Sequence, residues 1–300
     1  MVSSHARAAS PQALLFLTSL PNHKAWWPQE ARVAAEMNSA ALGRPWPLFQ
    51  PTCRPVGTLS SPVDSQVPRH IGIIMDGNGR WARRRGRPAS FGHRAGVRAI
   101  KRALQACEDL GVHTLSIYAF STENWARPRA EVRALMRLFH ETMQREIDEM
   151  HRRGVRIVVS GRREELSARM RARIDEAMAR TANNKNGVLN VCLNYGGRAE
   201  IVDAVRSLVR DGISESKVDE AAISARMYQP SLADPDLIIR TAGEHRVSNF
   251  LLWQGAYAEM LVTDTLWPDF GEDDLKAALA DYASRVRRFG ARPADEVVAS

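Results

Sequence analysis

The chain has 300 residues, 44% apolar and 25% charged, with 42 basic against 34 acidic side chains and a formal net charge of +8. That is ordinary globular make-up, able to bury a substantial core as one large domain or two small ones. No apolar run approaches the roughly 18 residues of a membrane span, the nearest being Ala13 to Leu20. Cys53, Cys107 and Cys192 are too few and too scattered for a disulfide scaffold or a zinc ribbon, so a reducing compartment is indicated.

Residues 1–67 read as a poorly ordered extension, because Pro11, Pro21, Pro28, Pro45, Pro47, Pro51, Pro55 and Pro62 interrupt any periodic pattern. Ala13-Leu14-Leu15-Phe16-Leu17 has the greasiness of a secretory signal, but no basic run precedes it and the small-residue cleavage pattern is weak. A start assigned too early, with Met37 as the candidate true start, accounts for the segment as well.

From residue 68 to 292 short apolar runs alternate with longer segments of helical spacing, the βα rhythm of a parallel sheet. Strands are predicted at Ile71 to Met75, Thr114 to Phe120, Val155 to Ser160, Val188 to Leu193, Leu237 to Arg240 and Met260 to Thr263. Helices are predicted at Phe91 to Leu110, Arg129 to Arg153, Glu164 to Ala182, Arg198 to Arg210, Val218 to Tyr228 and Asp273 to Arg288, before a tail at 293–300. In the second helix Val132, Leu135, Met136, Phe139, Met143, Ile147 and Met150 form one apolar stripe. It reads as core packing, and its adaptable methionines would also suit the wall of an apolar channel.

Ligands of open parallel sheets sit outside the carboxyl ends of the strands. Four polar or glycine-bearing loops fall there: Asp76-Gly77-Asn78-Gly79-Arg80, Ser121-Thr122-Glu123-Asn124-Trp125, Asn194-Tyr195-Gly196-Gly197-Arg198 and Arg240-Thr241-Ala242-Gly243. In the first, two residues without Cβ let backbone N–H groups approach an anion closely, although a tight turn capped by Asp76 explains the same letters. From Gly77 to Cys107 there is no carboxylate, while Arg80, Arg83, Arg84, Arg85, Arg87, Arg94, Arg98, Lys101 and Arg102 crowd the stretch, a local polyanion signal. Arginines at strand ends or beside glycines, namely Arg80, Arg127, Arg240 and Arg246, suit bidentate diphosphate recognition better than solvated ones such as Arg83. His93 stands where a helix begins and could donate to a phosphate or simply cap. Magnesium needs hard oxygen ligands; Asp76 is the first candidate, Glu259 the second and Asp269 a weaker third.

Taken together, His70 to Ala82, Tyr118 to Trp125, Asn194 to Arg198, Ile239 to Gln254, Leu266 to Phe270 and Arg287 to Gly290 closely resemble the cis-prenyltransferase family, of which bacterial undecaprenyl diphosphate synthases are members. The resemblance implies a homodimer of single-domain α/β subunits, each with a six-stranded, mainly parallel sheet flanked by helices and enclosing a hydrophobic tunnel. It implies an enzyme that adds isopentenyl diphosphate to an allylic diphosphate, with Mg2+ as cofactor. On this likeness Gly77, Asn78, Gly79, Arg80 and Trp81, with His93 and Arg127, hold the allylic diphosphate, and Arg240, Arg246 and Ser248 hold isopentenyl diphosphate. Asp76 and Asn124 are the catalytic candidates, Ser121 and Trp125 lie near the reacting carbons, and Asp76 and Glu259 bind the metal, Glu259 from or near the partner subunit. A cytoplasmic location follows, with peripheral contact at the inner face of the membrane. The proton acceptor stays open among Asp76, Asn124 and a substrate phosphate oxygen.

Two departures stand out. Ala89 occupies a position, four before the histidine, where bacterial members usually carry arginine; Arg87 is the nearest substitute, although Pro88 fixes its exit direction. Gly187 and Val188 are small near the expected tunnel floor, which predicts a product at least as long as usual. Two rival readings share some of these features. A nucleic-acid-binding protein explains the basic run but not Asp76, Glu123 and Glu259, nor the lack of interleaved aromatics. A non-catalytic scaffold subunit of the same fold sits poorly with Asp76, Asn78, Arg80 and Asn124 all in place.

Overall fold

The computed structural model describes residues 67–285. Six strands, β1 (His70–Ile74), β2 (Thr114–Ser121), β3 (Val155–Ser160), β4 (Gly187–Tyr195), β5 (Leu237–Arg240) and β6 (Glu259–Val262), form one sheet in the order β3-β4-β2-β1-β5-β6. Every neighbouring pair is parallel. The helices are α1 (Asn78–Arg84), α2 (Ala89–Asp109), α3 (Arg129–Arg152), α4 (Ala168–Thr181), α5 (Gly197–Arg210), α6 (Glu220–Ser224) and α7 (Glu272–Ser284).

The strands read as apolar runs because both faces of the sheet are covered. Ile71, Ile73, Leu115, Ile117, Leu237 and Ile239 point to one face, where they pack with α2, the end of α3 and α7. Ile74, Ile238 and Cys192 point to the other, against Tyr195, Phe250 and Leu251. Gly72 lies on that second face, where a Cβ would sit 3.0 Å from the Phe250 ring. A buried polar rung also crosses the second face. Ser160 donates to Asn190 Oδ1 (2.8 Å), Asn190 Nδ2 donates to Ser116 Oγ (2.9 Å), and Ser116 bonds His70 Nε2 (2.7 Å). The carbonyl of Ala233 can only accept, so His70 Nδ1 carries the proton (2.6 Å) and Nε2 accepts from the Ser116 hydroxyl.

Four elements differ from the expectations. The loop after β1 turns directly into α1. The predicted Glu164 to Ala182 helix breaks at Ser167, whose side chain caps α4 through the Met170 N–H. The predicted Val218 to Tyr228 helix shortens to α6: Asp219 caps the Ala222 N–H, and the Tyr228 N–H is drawn to the Glu200 carboxylate (2.9 Å) instead of continuing the helix. The closing helix runs Glu272–Ser284. The expected extension up to residue 66, the Arg287 to Gly290 motif and the tail lie outside the described residues.

Candidate active site

Parallel register brings the ends of β1, β2, β4 and β5 to one edge, as expected of the four polar loops. The turn after β1 is pinned there by Thr241, whose hydroxyl accepts from the Asp76 N–H (2.9 Å) and donates to the Asp76 carbonyl (2.7 Å). Gly77 adopts φ 101°, a left-handed conformation that glycine takes without penalty, and a Cβ would strike Leu266 at 2.9 Å. α2 then packs directly on the turn. A Cβ on Gly92 would lie 2.0 Å from the Asn78 carbonyl oxygen, and one on Gly96 would lie 2.4 Å from Asn78 Oδ1, so only glycine permits this approach.

Asp76 is the hub. Its Oδ2 accepts from Arg240 Nη2 (3.0 Å), its Oδ1 accepts from the Gly77 N–H (2.6 Å), and Arg80 stands 3.4 Å away. Burial alone would raise its pKa, but the Arg240 and Gly77 hydrogen bonds and the charges of Arg240 and Arg80 outweigh that and hold the carboxyl below its ordinary value. Arg240, with only 4% of its side chain exposed, also donates to Ser248 Oγ (2.7 Å) and to the Arg246 carbonyl, while its buried Nε has no partner among the described residues. The loop carrying Arg246 and Ser248 is held in place by Asn249, which accepts from the Arg198 N–H (2.8 Å) and donates to Glu123 (2.8 Å). Glu244, to which sequence reasoning assigned no role, pairs with both Arg80 and Arg246. Its proximity to arginines within the loop was the only available signal.

On the other side of Asp76 a cavity of ≈ 170 Å³ is lined by Asp76, Gly77, Asn78, Gly79, His93, Asn124 and Arg127 among others. Arg127 bonds Glu131 (3.1 Å), an i,i+4 partner that the sequence reading passed over, and His93 lies 3.8 Å from the same carboxylate. Burial lowers the His93 pKa most, the Glu131 charge works against that and the Arg127 charge reinforces it; the net shift is downward, so the ring is neutral near pH 7. Val97, Ile100, Ala119 and Phe139 line this cavity and also a second, apolar one of ≈ 100 Å³ that continues between the sheet and the α2–α3 pair. The apolar stripe of α3 is therefore both core and cavity wall.

Other predicted residues take different places. Asn124 accepts from the Ser121 N–H (3.1 Å) and so shapes its own loop, and Trp125, 42% exposed, donates to Asn194 Oδ1 (2.7 Å). Trp81 is buried, stacks on Phe91 and donates to Asp269 (2.6 Å). Arg87 lies over the Phe91 ring. Beside Ala89 a third cavity of ≈ 350 Å³ opens, reaching His93, Glu131 and Arg137. Gly187 lines neither main cavity; it shares a face with Leu189, one step deeper than that lining residue.

Glu259 is not brought to Asp76 within one subunit. It pairs with Leu237 at the amino end of β5, roughly 10 Å of extended strand from the Arg240 end, and bonds Arg285 (2.8 Å). The parallel direction of β6 puts it there. No group of three or more acidic, histidine or cysteine ligands occurs among the described residues. The donors nevertheless fit magnesium: Asp76 is a hard, ionised oxygen ligand open to the cavity, and one or two carboxylates suffice where substrate phosphates complete the shell.

A family model described as "Putative undecaprenyl diphosphate synthase" matches residues 74–290. An isoprenyl transferase of Heliobacterium mobile is 51% identical over 253 residues, 82% of this chain and 97% of that protein. The ditrans,polycis-undecaprenyl-diphosphate synthase ((2E,6E)-farnesyl-diphosphate specific) of Xanthomonas axonopodis pv. citri is 49% identical over 232 residues, 76% of this chain and 90% of that protein. Lavandulyl diphosphate synthase from Lavandula x intermedia, solved in complex with dimethylallyl diphosphate, is similar in structure with a TM-score of 0.72 at 35% identity, covering 76% of this chain and all of that one. The likeness spans nearly the entire described region, and the chain belongs to the undecaprenyl diphosphate synthase family of cis-prenyltransferases.

Proposed function

We propose that the enzyme condenses isopentenyl diphosphate units onto farnesyl diphosphate to make a long cis-polyprenyl diphosphate such as undecaprenyl diphosphate, the precursor of the lipid carrier for cell-wall synthesis. One observation carries this: the cavity lined by Asp76, Gly77, Asn78, Gly79, His93 and Arg127 shares walls with an apolar cavity. The allylic diphosphate would rest on Gly77 to Arg80 with His93 and Arg127, its tail directed into the apolar cavity. Isopentenyl diphosphate would rest on Arg240, Arg246 and Ser248, and Asp76 would stand between the two.

As the allylic C–O bond breaks, its electron pair leaves with the diphosphate, whose charge is met by Arg80, Arg127 and backbone N–H groups. The double bond of isopentenyl diphosphate forms the new C–C bond, and loss of one proton restores a double bond. Magnesium, when bound, would screen the diphosphate charge, with Asp76 as its ligand in this chain and Glu259 offered by a second copy. A homodimer belongs to this reading. Val202, Val205 and Val209 leave an apolar stripe on α5, 45%, 41% and 72% exposed, and β6 is an edge strand. The reading also places residues 68–292 in one catalytic domain, locates the protein in the cytoplasm with peripheral contact at the inner face of the membrane, and excludes nucleic acid as a partner. No helix among the described residues is long and apolar enough to cross a membrane.

The test is incubation with farnesyl diphosphate, labelled isopentenyl diphosphate and Mg2+, followed by sizing of the lipids. Asp76→Asn keeps an acceptor for Arg240 but removes the charge, so the fold should persist while turnover falls by roughly 100-fold or more, on the scale of losing one electrostatic group. Undiminished turnover in Asp76→Asn would sink the assignment.

A further inference from the structure

The apolar cavity is roofed by α2 and α3, and above it the ion pair of Lys101 and Glu146 (2.5 Å) spans the two helices. Lys101 is 46% exposed and Glu146 18%, so the pair sits where the cavity wall meets solvent. The outer surfaces of the two helices carry further cations. Arg94 and Arg98 precede Lys101 on one exposed stripe of α2, and Arg133 and Arg137 follow one another on α3. These four arginines form no ion pair among the described residues. Arg83 and Arg84 are exposed in the last turn of α1. The carboxylates nearby are Glu131 and Glu146, each held by a basic partner, and Glu141, which faces the third cavity.

Exposed guanidinium groups without an ion pair, on the outer surface of the two helices that roof an apolar cavity, suit a partner that is both anionic and greasy. We infer that the outer face of α2 and α3, from Arg94 and Arg98 to Arg133 and Arg137, docks on the headgroups of an anionic lipid bilayer, setting the Lys101–Glu146 seam against the membrane. This rests on the proposed function, because a polyprenyl product must leave an apolar cavity for a bilayer, and it assigns the membrane contact to a surface. Nucleic acid fits less well: neither helix exposes an aromatic ring for stacking on bases.

Each basic residue near an anionic bilayer strengthens partitioning roughly fivefold, an effect that salt screens. The full chain should therefore float with vesicles containing phosphatidylglycerol, stay in solution with pure phosphatidylcholine vesicles, and release as salt rises. Arg98→Glu with Arg133→Glu should lower partitioning by roughly 25-fold or more, because two cations are not merely lost but reversed. Arg210→Glu with Lys217→Glu, an equal charge change on exposed positions outside α2 and α3, should retain most of it. Turnover in detergent, measured in parallel, should match wild type for both pairs. Flotation that ignores lipid charge, or falls equally for both pairs, overturns the inference. Salt-sensitive RNA binding lost in the first pair, without vesicle binding, overturns it in favour of a nucleic-acid surface. Absence of prenyl transfer by wild type in detergent, with flotation as expected, would refute the proposed function and the delivery role while leaving the lipid-binding surface standing.

Discussion

Gly79→Ala separates a phosphate cradle from an ordinary turn. Gly79 is the second residue of α1, its φ is not in the left-handed region, and a Cβ there would meet nothing within 4 Å. The fold therefore tolerates alanine, and the helix should gain about 0.5 kcal/mol from reduced backbone entropy in the unfolded chain. The same methyl group would project where the residue lines the polar cavity and would hold a diphosphate away from the backbone N–H groups. Losing one hydrogen bond to a charged oxygen costs roughly 1.5–3 kcal/mol, which predicts a fall in kcat/KM for the allylic substrate of roughly 10- to 100-fold. Urea melts and steady-state kinetics with varied allylic diphosphate check the two signs together. A variant that is as stable as wild type and within twofold in kcat/KM would show that the loop is only a turn. Gly92→Ala is the opposite case: its Cβ would sit 2.0 Å from a backbone oxygen, so stability should fall by about 1–3 kcal/mol as α2 is pushed off the turn, and activity should fall with it.

Thr142 lines the apolar cavity with a buried Oγ1 that has no partner among the described residues, so the isosteric Thr142→Val should stabilise the protein by about 1 kcal/mol in urea denaturation. Stability should also depend on His70, whose burial depresses its pKa below the ordinary 6.5 despite the opposing hydrogen bond to Ala233 and charge of Asp236. The neutral ring contributes stability above pH 6.5; as pH falls below that value the unfolded chain takes up the proton first, and the contribution is lost until the folded pKa is reached. His70→Gln should flatten this acid limb relative to wild type when ΔG is measured from pH 8 to 5.

Much of the frame was legible in the letters. The bounds of β3 and β5 were read correctly because Val155 to Ser160 and Leu237 to Arg240 are short, largely apolar and largely buried runs, and a parallel sheet then requires the polar residues that follow such runs to share one edge. The residue types at that edge were readable as well: Asp76 beside glycines, a carboxylate-free basic stretch, and arginines at strand ends. What it did not reveal were contacts between residues far apart in the chain. Asp76 meets Arg240 across 164 positions, and Trp81 meets Asp269 across 188. Gly92 and Gly96 look like ordinary helix interior until α2 is laid on Asn78. Glu259 was visible just before a strand, but only the direction of β6 in the assembled sheet places it at the end remote from Asp76. Local order follows from side-chain periodicity and backbone sterics, which neighbouring residues specify. The pairing of charges depends on which elements pack together, and that is decided by the whole core.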